Sequence, residues 1–237
     1  MTRRRWIADE LEGNRAALTG EHARHLSRVL RARVGQEFDI VTSEGLRSGR
    51  IVSINDNRVE FELGEEIPAT LPLDLTVVLS IFKFDRMEWA IEKCTELGVA
   101  RIVPVVARRT EPHLAEGAVK RADRWRRIAA QASEQARRTA TPEIDNPTRL
   151  KDALTLPGET RILLDEGERM TSLRDSLPSV RSRVVLAFGP EGGWSPEEVV
   201  MFQEAGWHSA SLGNTILRAE TAIIAATAIA VSEMQRN

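Results

Sequence analysis

Residues 184–198 read VVLAFGPEGGWSPEE, and this stretch decides the fold. Residues 184–188 are continuously apolar, too short a run for a core helix and closed by glycine, so they read as a strand buried on both faces. Such strands belong to parallel sheets covered by helices. The strand empties into Gly189-Pro190-Glu191-Gly192-Gly193. Ser195, Pro196, Glu197 and Glu198 then open a helix, with a hydroxyl cap, a proline at the first helical position and acids in the first turn. The turn is not G-x-G-x-x-G, and it lacks the lysine of a phosphate-binding loop. Glu191 would repel a phosphate. Glycines at 189, 192 and 193 let backbone approach a ligand closely. The turn therefore suits a neutral or cationic ligand; the alternative is a tight strand–helix turn whose glutamate faces solvent.

The same alternation extends outward on both sides. Residues 75–82 are an apolar run, hence a central strand. In 85–97, Met87, Ala90, Ile91, Cys94 and Leu97 form one apolar stripe of a helix, closed by Gly98. A strand at 101–106, an amphipathic helix at 120–138 burying Trp125, Ile128, Ala129 and Ala132, strands at 161–164 and 209–212, and a helix at 220–234 complete the series. Strands alternating with helices predict a mostly parallel α/β sheet over residues 71–237. Residues 1–70 differ. Alternating segments at 37–41, 49–54 and 58–63, with turns at 43–45 and 55–57, predict a small β-barrel-like domain with one helix at 20–32. Residues 67–72 read as the linker.

Apolar content of 42% and charged content of 29% are those of a globular protein. The net charge is only −2, but its distribution is uneven. Residues 101–140 carry ten basic side chains against four acidic, and residues 1–50 carry ten arginines against seven acids. Arginine suits phosphate better than lysine does. The single cysteine, Cys94, rules out an internal disulfide or a cysteine-rich metal site and points to an intracellular protein. His22, His113 and His208 have no partners at metal-ligand spacing, so no metal is expected. Thr2-Arg3-Arg4-Arg5 is followed by no apolar core, so no signal peptide is read. The apolar run 221–231 is too short to span a membrane.

In such a sheet the ligand site lies at the carboxyl ends of the strands. Three loops compete for it: 189–193, 212–221 and 83–86. The second places Ile216-Leu217 before Arg218 and Glu220, at the start of a helix rich in small residues. The plain reading there is a cap and an ion pair.

The combination of Gly189-Pro190-Glu191-Gly192-Gly193 with Leu212-Gly213 and Ile216-Leu217-Arg218-Ala219-Glu220-Thr221-Ala222 resembles the SPOUT methyltransferases with a trefoil-knotted C-terminus. More closely, it resembles the 16S ribosomal RNA uridine-N3 methyltransferase family. Matches continue at His25-Leu26-Ser27-Arg28-Val29-Leu30-Arg31, at Lys83 and Asp85-Arg86-Met87-Glu88, at Lys93-Cys94-Thr95-Glu96-Leu97-Gly98-Val99, and at Trp125, Ala129-Ala130, Glu134-Gln135 and Arg138. The resemblance covers nearly the whole chain. The sequence departs from the family at Thr215, where a basic residue is usual, and at Ala219, where threonine is frequent.

The resemblance implies a C-terminal trefoil-knotted methyltransferase domain, an N-terminal PUA-like barrel that binds RNA, and a cytoplasmic homodimer joined through the knotted domains. It implies S-adenosylmethionine as cofactor, held by Leu164, Phe188, Gly189, Pro190, Glu191, Gly192, Gly193, Leu212, Gly213, Ile216, Leu217, Arg218, Thr221 and Ala222, with apolar side chains sandwiching the adenine. The substrate would be a uridine in the decoding region of 16S rRNA, within the small ribosomal subunit. Arg3, Arg4, Arg5, His25, Arg28, Arg31, Lys83 and Arg86 are then the expected RNA contacts. Arg218 is the candidate to stabilise the uracil anion, and Glu191 or Glu220 the candidate proton acceptor; pairing of either glutamate with Arg218 is the competing reading. Other RNA specificities, ribose 2′-O or guanine, and a non-catalytic RNA-binding or ribosome-assembly factor remain alternatives.

Overall fold

The computed structural model describes residues 5–55, 57–67, 73–136, 138–180 and 182–235. Contacts divide the chain into two compact units, Met1–Leu71 and Pro72–Asn237.

The first unit holds β1 (Arg5–Ile7), β2 (Glu10–Glu12), β3 (Arg15–Thr19), α1 (Gly20–Arg24), a π-helical turn (His25–Val29), β4 (Glu37–Thr42), β5 (Gly45–Asn55) and β6 (Arg58–Glu66). The strands form one sheet in the order β1-β4-β5-β6-β3-β2. Alternation aims Phe38, Ile40, Ile51, Val59, Phe61 and Leu63 into one core, which Leu18, Ala23 and Leu26 complete. The expected helix over 20–32 is shorter. It closes with bonds from Leu30 N to His25 O (3.0 Å) and from Ala32 N to Leu26 O (3.1 Å), and between them Arg31 has a positive φ of 50°, which no helix continues. The strands β1–β3 are missing from the sequence reading because each is at most five residues and mixes charge with apolar side chains. Of the expected linker only Ile67 is described, and its N–H still donates to Leu46 O; residues 68–72 lie outside the described residues.

The second unit runs β7 (Leu75–Ser80), α2 (Phe84–Leu97), β8 (Arg101–Val106), α3 (Pro112–Gln135), β9 (Glu143–Ile144), β10 (Thr148–Arg149), α4 (Leu150–Ala153), β11 (Thr160–Leu164), α5 (Leu173–Ser176), β12 (Val184–Phe188), α6 (Pro196–Glu204), β13 (His208–Ala210) and α7 (Ala219–Gln235). All of its strand pairs are parallel, in the order β10-β8-β7-β12-β11-β13, with β9 also on β8. Every residue of β7 and of β12 is buried, the apolar run of β12 unbroken and that of β7 interrupted only by the small polar side chains of Thr76 and Ser80. One face packs on α2, α3, α5 and α7 through Met87, Ile91, Trp125, Leu173, Ile223 and Ala226. The other packs on α4 and α6, where Phe202 lies between Trp194 and Trp207 at ring-centroid distances of 4.8 and 5.0 Å.

Three boundaries differ from the sequence reading. The helix expected from 120 begins at Pro112, because Leu114, Ala118 and Ala122 extend the buried stripe of Trp125, Ala129 and Ala132 toward the N-terminus. The strand expected at 75–82 ends at Ser80, although Ile81 and Phe82 stay buried. The last strand is His208–Ala210, with Ser211 only bridging to Ser172.

Cys94 sits fully buried on α2, its sulfur 3.7 Å from Thr227 Oγ1 on α7. Burial pushes its thiol up to about 12. A thiol-specific reagent is therefore expected to label the native protein only at its unfolding rate. Rapid labelling under native conditions would contradict this packing.

Candidate active site

The strands β11, β12 and β13 end level with one another. Leu164 pairs with Phe188 on one side and with Ala210 on the other. The three loops that follow, 165–172, 189–195 and 211–218, enclose a pocket at the carboxyl edge of the sheet. Leu164, Phe188, Leu212, Ile216 and Leu217 give it apolar walls; Ala219 and Ala222 of α7 close one side without bulk.

The 189–193 loop has the backbone that its glycines require. Gly193 N–H donates to Pro190 O (2.8 Å), closing a turn. Gly193 has φ 68°, the left-handed region. A Cβ on Gly189 would lie 3.1 Å from Gly193 C and 3.1 Å from Trp194 N, both backbone atoms. The far end of the loop is anchored at the cap of α6. Ser195 N–H donates to Glu198 Oε2 (2.9 Å), and Glu198 N–H donates to Ser195 Oγ (3.3 Å). The buried Glu198 carboxylate also accepts from Arg108 N–H at 2.7 Å. Trp194 Nε1–H donates to Leu164 O (3.2 Å), which ties the loop to the end of β11. The 165–172 loop is closed by its own acids. Asp165 Oδ1 accepts from Gly167 N–H, and Glu168 Oε1 accepts from Met170 N–H (2.6 Å) and Thr171 N–H (3.0 Å), bonds that hold the Glu168 carboxyl below its usual range.

The structure brings Leu164, Phe188, Gly189, Pro190, Glu191, Gly193, Leu212, Gly213, Ile216, Leu217 and Ala222 to this pocket. It leaves Gly192, Arg218 and Thr221 off the lining. Gly192 O is taken by Arg109 Nη1–H at 2.6 Å, and Arg218 and Thr221 are exposed. Glu191 does not face solvent alone and does not pair with Arg218. Arg86 Nη1–H donates to it at 2.8 Å, and Lys83 Nζ stands 3.8 Å away. Glu220 is buried in the first turn of α7; Oε1 lies 3.8 Å from Arg86 Nε, and Oε2 has no hydrogen-bond partner among the described residues. Asp165, Glu166, Arg169 and Trp194 line the pocket without having been singled out in the sequence, and Thr215, noted only as a departure from the family, lines it as well. The carboxyl-edge rule applied to the strand at 161–164 finds the first two.

Arg3 and Arg4 lie outside the described residues. Arg5 is in β1, His25 is exposed with its ring 5.8 Å from that of Trp6, and Arg28 and Arg31 are exposed. Much of the basic excess of 101–140 is paired within the protein. Arg101 pairs with Asp145 (2.7 Å), Arg108 with Glu197 (2.9 Å), Arg121 and Arg124 with Glu88, Arg126 with Asp123, and Arg138 donates to Thr95 O. Among the described residues no group of acids, histidines and cysteines has metal-site geometry, and no helix is long and apolar enough to cross a membrane.

A parallel sheet with a glycine-lined pocket between three carboxyl-edge loops is a class of small-molecule binding domain, and known proteins place it further. Residues 69–231 match the RNA methyltransferase domain family, and residues 18–64 match the RNA methyltransferase PUA domain family. The crystal structure of a ribosomal RNA small subunit methyltransferase E from Neisseria gonorrhoeae, bound to S-adenosyl methionine, is 32% identical, with a TM-score of 0.78 and 95% of each chain covered. A Legionella pneumophila structure with bound SAM is 27% identical, with a TM-score of 0.77 and 98% of each chain covered. The ribosomal RNA small subunit methyltransferase E of Aquifex aeolicus is 29% identical over 226 residues, 94% of this chain and 97% of the relative. The chain belongs to the ribosomal RNA small subunit methyltransferase E family of RNA methyltransferases.

Proposed function

We propose that this protein is an S-adenosylmethionine-dependent methyltransferase acting on N3 of a uridine in the decoding region of 16S rRNA, within the small ribosomal subunit. The observation that carries this is the glycine turn at the pocket. Gly189 packs against the Gly193–Trp194 peptide too closely for a Cβ, and Gly189 and Gly193, which carry no side chain, present main chain to the cavity. Flat apolar walls from Phe188, Leu212, Ile216 and Leu217 suit an adenine, and Asp165, Glu166 and Glu191 suit ribose hydroxyls and positive charge. The residues present therefore fit S-adenosylmethionine, a cation at sulfur. When bound, this cofactor supplies an electrophilic methyl group.

The chain's own residues have three tasks. Apolar and backbone groups of the 189–193 and 211–218 loops hold the adenosyl group and align the methyl with the target nitrogen. The N3 proton leaves to a carboxylate. Glu220 is favoured over Glu191, because it is buried with one oxygen unpartnered, whereas Glu191 is paired with Arg86. Arg218 meets the negative charge that develops on O2 and O4; it is exposed and no described carboxylate pairs with it. Gly192 and Thr221 contribute at the rim and Arg218 beside the substrate.

The unit at 1–70 serves as the PUA-like RNA-binding domain, with Arg5, His25, Arg28 and Arg31 as its contacts, joined by Arg3 and Arg4. The second unit, 71–237, is the SPOUT domain with a trefoil knot. Supporting this, β12 inserts between β7 and β11 late in the chain, and α7 returns onto α2. The protein works as a cytoplasmic homodimer through the knotted domains, a reading that rests on the family resemblance.

The test is transfer of label from S-adenosylmethionine to small ribosomal subunits that lack native methylation, followed by nucleoside identification. Label in 3-methyluridine is the expected result. Label in a ribose 2′-O-methyl or guanine product would replace the specificity, and no label with the cofactor bound would replace the activity.

A further inference from the structure

Besides Lys83, two arginines reach the 189–193 loop, one from α2 and one from the loop after β8. Arg86, in the first turn of α2, donates to Glu191 Oε1 at 2.8 Å, and its Nε stands 3.8 Å from Glu220 Oε1. Arg109, in the loop after β8, takes Gly192 O at 2.6 Å. One guanidinium thus spans the tip of the glycine turn and the first turn of α7, the two elements on opposite sides of the pocket. The Arg86 and Glu191 side chains are 33% and 29% exposed. This partial desolvation makes the pair stronger than a solvated surface pair. A phosphate that drew Arg86 away would release Glu191 and remove a nearby cation from the buried Glu220.

We infer that Arg86 is a positioning residue: it orders the 189–193 loop, fixes the Glu191 carboxylate at the pocket and holds a positive charge near Glu220 in the first turn of α7, and it is not an RNA phosphate contact. This rests on the pocket being the S-adenosylmethionine site. It reverses the sequence-based expectation for Arg86, whose spacing after an apolar strand looks the same in either role.

The variants are Arg86→Gln, Glu191→Gln and the double substitution, each in the full chain. Three quantities are measured: S-adenosylmethionine affinity by calorimetry, the salt dependence of binding to small-subunit RNA, and hydrogen exchange at the amides of residues 191–193 in the free protein. Loss of one charge-assisted bond predicts about tenfold weaker cofactor binding in Arg86→Gln. Glu191→Gln, which leaves the arginine in place, should weaken binding similarly, and the double variant should be no worse than either single one. Loop exchange should quicken, and the salt slope of RNA binding should stay at the wild-type value. Wild-type cofactor affinity in Arg86→Gln, with a salt slope smaller by about one, would make Arg86 a phosphate contact and overturn the inference. Unchanged loop exchange would overturn it as well. If the wild-type protein itself does not bind S-adenosylmethionine, the reading of the pocket fails. The exchange data then judge the clamp separately.

Discussion

Alanine at position 218 is expected to lower the rate of methyl transfer by about 10²–10³-fold, the usual loss when one anion-stabilising donor is removed. In the proposed reaction the uracil ring becomes anionic as its N3 proton leaves, so a cation facing O2 or O4 gains interaction energy toward the transition state. Arg218, in the loop between β13 and α7, is the cation proposed for this. It is exposed, off the pocket lining, and unclaimed by the acids that engage Arg86, Arg121 and Arg124. Because it lies off the lining, S-adenosylmethionine affinity should stay within about twofold of wild type, the pattern of a residue acting only in the transition state. Arg218→Lys keeps the charge without the planar fork and should fall between the two. Single-turnover rates on unmodified small subunits with saturating cofactor decide the matter; a rate equal to wild type in Arg218→Ala would place the anion's stabilisation on another group.

The second large effect is expected from Gly189→Ala. A methyl group at this position meets Gly193 C and Trp194 N at 3.1 Å and Gly193 Cα at 3.3 Å. Backbone atoms cannot swing aside as a flexible side chain can. Moving them means opening the Pro190–Gly193 turn or pulling Trp194 from Leu164 O. Overpacking of this kind costs about 1–3 kcal/mol. Expressed at the loop, this is about a 30-fold loss of cofactor affinity. Expressed globally, it lowers the melting temperature by several degrees, at about 2–4 °C per kcal/mol for a unit of this size. Calorimetric titration and thermal melting on the same preparation separate the two. Wild-type values in both would mean that the close approach at Gly189 relaxes freely.

The parts that the sequence shows clearly are those where one local rule acts alone. Residues 184–188 and 75–80 could only be doubly covered strands, and Ser195-Pro196-Glu197-Glu198 could only start a helix; the capping box is present as that pattern requires. The glycine turn announced the pocket because glycines at 189 and 193 answer to local constraints. Charge is where the local reading gives out. Arg86 reads as an RNA contact in sequence, and Arg101, Arg108, Arg121 and Arg124 read only as part of a basic excess, yet each meets an acid that only the folded chain brings near: Glu191, Asp145, Glu197 and Glu88. The identity of a cation's partner is a tertiary fact. Asp165 and Glu166 were overlooked for the opposite reason. They follow a short strand and are followed by a single glycine, Gly167, rather than a glycine cluster, and they reach the pocket only because β11 ends level with β12 and β13.

The place of β12 in the sheet has a consequence for the life of the chain. Leu75 at the start of β7 pairs with Val184 at the start of β12, so the sheet's central ladder joins segments far apart in synthesis. As the polypeptide leaves the ribosome, β7 can pair with β8 at once, but its other apolar edge stays bare until the late strands emerge. Contacts of such long range form slowly, and the waiting edge is open to aggregation. The pocket, drawn from β11 to α7, is then the last part of the molecule to exist. A chain truncated before β11 would keep the early strands and possess no site at all, and one truncated before α7 would lack the wall that Ala219 and Ala222 supply.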